Sequence, residues 1–176
     1  MALTASKVRV GVSGEWSTGA LAAAAPTSAA SVLTGFTGTG YISDDGVEVS
    51  SERSTKDIAA WQNGKIVRTV VSEAKTVYKF TLIETTKAAI ELAYGVTVTQ
   101  SVAEGTYVAD PAATGGRKSS VLDVIDGANL RREYIAESEV TKLSPVKYAS
   151  GEAVSFQVEV TGYTSPVVFD TALKTP

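Results

Sequence analysis

The sequence predicts a mainly β domain of the α+β class: an antiparallel β-sandwich or partial barrel flanked by one short α-helix. Three observations carry this expectation. Apolar and polar residues alternate with period two in several runs, as in Val154, Phe156, Val158 and Val160 set against Ser155, Gln157, Glu159 and Thr161. That alternation marks strands with one buried face, the habit of antiparallel sheets. An Asn63-Gly64 pair sits between two strand-like runs, Asp57–Trp61 and Ile66–Val71. Only one stretch, Thr86–Tyr94, has the composition of a helix.

In chain order, Lys7–Val12 alternates, with Val8, Val10 and Val12 on one face, and predicts a first strand. Residues 14–40 are rich in Ala, Gly, Ser and Thr and predict a long loop. At Asn63 and Gly64 the two residue types that best tolerate positive φ predict the tip of a type I′ hairpin, with Trp61 near its base. Lys75–Glu84 is a strand with Tyr78, Phe80 and Leu82 on one face. Thr85 or Thr86 caps the helix that follows, Gly95 supplies its left-handed end, and Ala89, Leu92 and Ala93 face inward. Lys87 and Glu91 share its outer face at a spacing of four.

Val96, Val98 and Val102 again alternate, and residues 103–120 predict a second loop around Asp110-Pro111 and Gly115-Gly116. Arg131–Val140 is a strand whose Glu133, Glu137 and Glu139 form a solvated acidic face. Residues 165–176 form a C-terminal arm with a proline near each end. One domain over 1–176 is expected, large enough to bury roughly 70% of its unfolded surface without metal or disulfide.

The chain has no cysteine and no histidine, which removes thiol chemistry, thiolate metal sites and the commonest general base. Asp44-Asp45-Gly46 lacks the spacing of a calcium loop and reads as a turn. The glycines of 14–40 match no phosphate-loop pattern. Neither catalytic residues, nor a metal, nor a cofactor is expected. The net charge is −3; residues 1–88 carry nine basic and eight acidic side chains, residues 89–176 seven and eleven. No basic cluster of the kind that grips a duplex is present, so sequence-specific nucleic-acid binding is not expected. No apolar run is long enough to span a membrane, and Met1-Ala2-Leu3-Thr4 opens no secretory signal.

The runs Gly40-Tyr41-Ile42-Ser43-Asp44-Asp45-Gly46-Val47, Ala60-Trp61-Gln62-Asn63-Gly64, Val67-Arg68 and Phe80-Thr81-Leu82-Ile83-Glu84-Thr85 occur in that order. Together they resemble the major tail tube subunit of long-tailed bacteriophages, especially those infecting actinobacteria. The resemblance implies two antiparallel sheets flanked by one helix, in a structural protein that is not an enzyme. It implies hexameric rings that stack into a hollow tube, a conduit for DNA ejection. Its partners would be further copies of itself, the tape measure protein in the lumen, and the tail terminator and baseplate or distal tail proteins. The location would be the virion tail, assembled in the host bacterial cytoplasm. A β-sandwich binding or adhesion module without catalysis is the alternative.

Two apolar groups inside the loop and the arm, Val32, Leu33 and Phe36 and then Val167, Val168 and Phe169, have no evident local sheet partner and are the candidate assembly surfaces; a final edge strand of the same domain is the alternative for 167–169.

Overall fold

The computed structural model describes residues 7–174. Its elements are β1 (Ser13–Gly19), β2 (Phe36–Gly38), β3 (Ile42–Ala59), β4 (Ile66–Leu82), α1 (Lys87–Tyr94), β5 (Thr99–Gln100), β6 (Gly105–Thr106), β7 (Lys118–Asp126), β8 (Asn129–Leu143), β9 (Phe156–Gly162) and β10 (Val167–Asp170). Eight of these strands form one antiparallel sheet in the order β2-β1-β7-β8-β9-β4-β3, with β10 also on β8. Strands β5 and β6 make a separate two-stranded ribbon.

The alternating residues of β4 and β9 become the core. Tyr78, Phe80, Leu82, Phe156, Val158 and Val160 are all buried, joined by Leu122 of β7 and Ile135 of β8. Trp16 of β1 packs its ring against Tyr78 at 5.3 Å and Phe80 at 4.8 Å. Strand β4 lies four places from β1 in the sheet. In a flat sheet, strands spaced about 4.8 Å apart would put them roughly 19 Å from each other. The ring contacts therefore show that the sheet curls over itself. This is the partial-barrel form of the expected architecture, built from one curled sheet rather than two separate ones.

Helix α1 plugs one side of this curl with Ala89, Ile90, Leu92 and Ala93 buried. Its ends are built as the sequence predicts. The Thr86 hydroxyl accepts from the Ala89 N–H at 3.1 Å, and Gly95 stands at φ 65°. Lys87 reaches Glu91 at 3.8 Å, and Glu91 also accepts from the Val98 N–H at 3.0 Å.

Strands β9 and β10 run along the same edge of β8. Gly162 faces Ser138, and Val167 faces Tyr134. Residues 163–166 interrupt the path, where Pro166 lacks the N–H a ladder needs.

Several expectations are corrected. Residues 8–12 are not a strand; Val8, Val10 and Val12 are exposed, and pairing to β7 becomes regular only from Ser13. Alternation shows that a segment can pair, not that an edge is free to receive it. The predicted loop 14–40 contains most of β1 and all of β2. Its glycines hid a strand: a Cβ on Gly14 would sit 2.9 Å from the Asp123 carbonyl oxygen, so the small residue permits close backbone approach. Residues 103–120 likewise hold β6 and the start of β7. Val96 and Val102 lie outside strands, and Val102 is fully exposed.

Candidate assembly interface

Strands β3 and β4 are far longer than the body needs. Pairing of β4 with β9 stops at Thr76↔Gly162, yet β3 and β4 remain paired out to Ala59↔Ile66. Ten residues of β4, Ile66–Lys75, thus extend past the sheet, about 34 Å at 3.4 Å per residue. Residues 51–59 and 71–75 are exposed throughout, so this arm has no covered face. Ile58, Ile66, Val67 and Val71 are among its exposed apolar side chains. A lone two-stranded ribbon is only marginally stable in water. The sequence signal for it is the polar run Ser50-Ser51-Glu52-Arg53-Ser54-Thr55-Lys56, which has strand-forming neighbours but no alternation. A strand without alternation has no face to bury.

The arm ends in a four-residue turn, Trp61–Gly64, closed by the Ala60 N–H donating to the Lys65 carbonyl at 2.7 Å. Asn63 and Gly64 both have positive φ, 61° and 64°. The loop is therefore two residues longer than a type I′ hairpin, and Trp61 lies in the turn itself rather than at the base of the strands. Its side chain is 98% exposed. Behind the tip, Thr69 Oγ1 donates to Asp57 at 2.6 Å; nearer the body, Lys75 pairs with Glu52 at 3.0 Å. The Glu52 hydrogen bond holds the Lys75 ammonium above its ordinary pKa.

The two predicted apolar groups meet at one place. The Phe36 ring stands edge-on to Tyr134 at 6.3 Å, and Tyr134 is the register partner of Val167. The C-terminal group therefore has a local sheet partner and is not a free arm: Val167–Asp170 is an edge strand on β8, the alternative for 167–169. Val32, Val167 and Val168 stay exposed, while Leu33, Phe36 and Phe169 are half-buried. Beneath them, residues 20–35 are pinned to the sheet. Arg132 grips Asp123 with two bonds, 2.6 and 2.8 Å, and its Nη1 donates to the Ser31 carbonyl at 2.6 Å. The Tyr134 hydroxyl donates to the Ala23 carbonyl at 2.9 Å. Nothing in the local sequence marks Arg132 as buried; its partners lie about 100 residues earlier and across the sheet.

The expected acidic face is also corrected. Glu133 is buried, receiving Arg131 at 2.9 and 2.8 Å and the Tyr78 hydroxyl at 3.2 Å. Burial first, and the Glu133 charge second, push the Tyr78 phenol well above its usual value. Arg131 reaches Asp170 as well, which ties β10 into the same network. Its hydrogen bond to Glu133 raises the Arg131 pKa.

The outer face of β4, β9 and the end of β8 is polar. Lys79 lies between Glu48 and Glu159 in the register, and Lys142 reaches Glu159 at 3.0 Å. Thr141 bonds Thr161 at 2.9 Å and Ser144 bonds Gln157 at 2.9 Å. Charges there are matched within the face.

Among the described residues no group of His, Cys, Asp or Glu is arranged to hold a metal ion. No helix of the structure is long and apolar enough to cross a membrane. The features that stand out are a bare arm, a pinned loop and a polar sheet face.

No curated protein matches the chain. Two solved assemblies contain similar chains. One is the tail of an empty gene transfer agent particle with C6 symmetry, at 8% identity and TM-score 0.41, covering 94% of this chain and 98% of that one. The other is the virion of a native gene transfer agent particle, at 9% identity and TM-score 0.38, covering 77% and 88%. The model of the phage tail tube protein family matches residues 1–170. The chain therefore belongs to the phage tail tube protein family, as a structural subunit of the virion tail.

Proposed function

We propose that the subunit closes into hexameric rings that stack into a hollow tube, and that the β3–β4 arm is the element that links copies. The observation that carries this is an arm of about 34 Å with both faces exposed, which gains little from its own body. Docked against a neighbour it buries its apolar side chains and offers its unpaired backbone edges to another sheet. A contact between unlike surfaces closes into a ring or propagates as a stack, according to the rotation it imposes. The apolar residues around Val32, Leu33, Phe36 and Val167–Phe169 form a second contact surface, on the body.

In this reading the polar face of β4 and β9 lines the lumen. Its charges are matched, Lys79 and Lys142 against Glu48 and Glu159, and give a duplex no basic track to bind. The tape measure protein occupies that lumen during assembly in the host cytoplasm, and the tail terminator and baseplate or distal tail proteins meet the tube ends. The subunit acts mechanically, with no catalytic step.

Replacing residues 51–74 with Asn-Gly tests the arm. The shortened protein retains every β4–β9 pair and is expected to fold, with circular dichroism of a β protein. Negative-stain microscopy of concentrated protein should show six-fold rings and tubes for the full chain and neither for the shortened one. Normal tubes without the arm would defeat the proposal.

A further inference from the structure

We infer that Trp61, at the arm tip of one copy, seats in the groove beside the C-terminal end of α1 in a second copy. The inference rests on the assembly reading above and names the receptor for the arm. An indole 98% exposed on a closed turn leaves a large apolar surface in water. The body carries a groove suited to it, of about 450 Å³, bounded by the end of α1, residues 109–114 and the last residues of β8, 140–143. Tyr94, Pro111, Ala113, Val140 and Leu143 supply apolar walls. At the rim, Asp110 accepts from the Ala112 N–H through Oδ1 at 2.9 Å, leaving its other oxygen for the indole N–H.

Other grooves fit less well. One of 420 Å³ at the arm root is lined by Glu52, Arg53, Lys75 and Thr76, where an indole would strip water from a charged pair. One beside Thr18 and Leu92 has room for only about 10 Å³.

Charge directs the same docking. Residues 53–70 hold four basic side chains and one acidic, while the rest of the chain holds twelve basic and eighteen acidic. The net −3 is thus divided into a tip of +3 and a remainder of −6. Tips repel tips and attract bodies, which favours a head-to-tail contact between copies. The arm's length carries the tip well clear of its own sheet, so the groove it meets belongs to another molecule.

Two measurements test this on the full chain. Trp61→Ala is expected to leave the melting temperature unchanged and to raise the protein concentration needed for tubes at least tenfold; Trp61→Phe should recover part of the loss. An unchanged threshold for Trp61→Ala would overturn the inference while leaving tube assembly intact. The second uses the absence of native cysteine. Gln62→Cys and Ala113→Cys proteins, mixed under mild oxidation, should form disulfide-linked dimers that neither forms alone. Gln62→Cys mixed with Ser165→Cys, in the other large groove, should not. Equal linkage to both sites, or none to Ala113→Cys, would refute the docking whether or not tubes form in the same tube of protein.

Discussion

Gly64 and Gly95 have nearly the same backbone, φ 64° and φ 65°, in opposite surroundings. A Cβ on Gly64 meets nothing within 4 Å. A Cβ on Gly95 would collide with the Gly115 nitrogen and lie 2.6 Å from the Thr114 carbonyl carbon. Both contacts are backbone, which cannot swing aside like a side chain. Alanine in the left-handed region costs about 1–2 kcal/mol, offset by about 0.4–1 kcal/mol through the stiffer unfolded chain. The conformational loss is therefore roughly 1 kcal/mol at either site. Forcing atoms into a packed site adds about 1–3 kcal/mol, so Gly95→Ala should lose about 2–4 kcal/mol. At this chain length that is a fall of roughly 4–16 °C in melting temperature. Gly64 sits on an arm that can open without the core, so its loss in the global transition should stay under about 1 kcal/mol. Urea titration of dilute, unassembled protein, followed by circular dichroism, measures both. Equal losses at the two glycines, or a loss below about 1 kcal/mol for Gly95→Ala, would refute the close helix–loop contact.

Two further outcomes follow from the buried polar groups. Asp123→Ala strands the Arg132 guanidinium under residues 20–35; breaking a largely buried pair costs about 3–5 kcal/mol, and the partial exposure of Asp123 reduces this to about 2–4 kcal/mol. Hydrogen exchange at residues 23–33 should rise in step, and unaltered exchange there would argue against Arg132 as the clamp. Tyr78 titrates above its ordinary pKa of about 10 in the folded protein, so its contribution is complete below pH 10 and fades as pH rises beyond it. Urea midpoints between pH 8 and 11 should fall more steeply for the native chain than for Tyr78→Phe, which should also lose about 1–2 kcal/mol near neutrality.

What could be read in advance followed burial. Tyr78, Phe80 and Leu82, or Phe156, Val158 and Val160, alternate because one face of their strands is core, and their roles are legible residue by residue. The helix caps at Thr86 and Gly95 are legible because capping is local chemistry. Strand β1 is not, because Gly14 and Gly19 are required by close backbones and read as loop. Val8–Val12 misleads in the opposite direction: the pattern is present and the neighbouring edge is not. The arm is legible at its Asn63-Gly64 turn and, more faintly, in the polar run 50–56. Its length depends on where β9 stops pairing with β4, a fact held some 80 residues away. The burial of Glu133 and Arg132 is equally non-local, since Tyr78 reaches Glu133 from β4 and the Ser31 carbonyl holds Arg132 from the loop.

The chain has two tryptophans, and the fold places them at the extremes of solvent contact: Trp16 at 0% and Trp61 at 98%. One indole is shielded among rings in the core, and the other stands in water at the end of a long lever. Their fluorescence is thus divided without any label. The core indole should emit to the blue and resist acrylamide, while the tip indole should emit to the red and be quenched freely. With Trp16→Phe, a single tryptophan remains, at the tip of the arm, so under excitation selective for indole a blue shift during mixing would time the moment the arm leaves water.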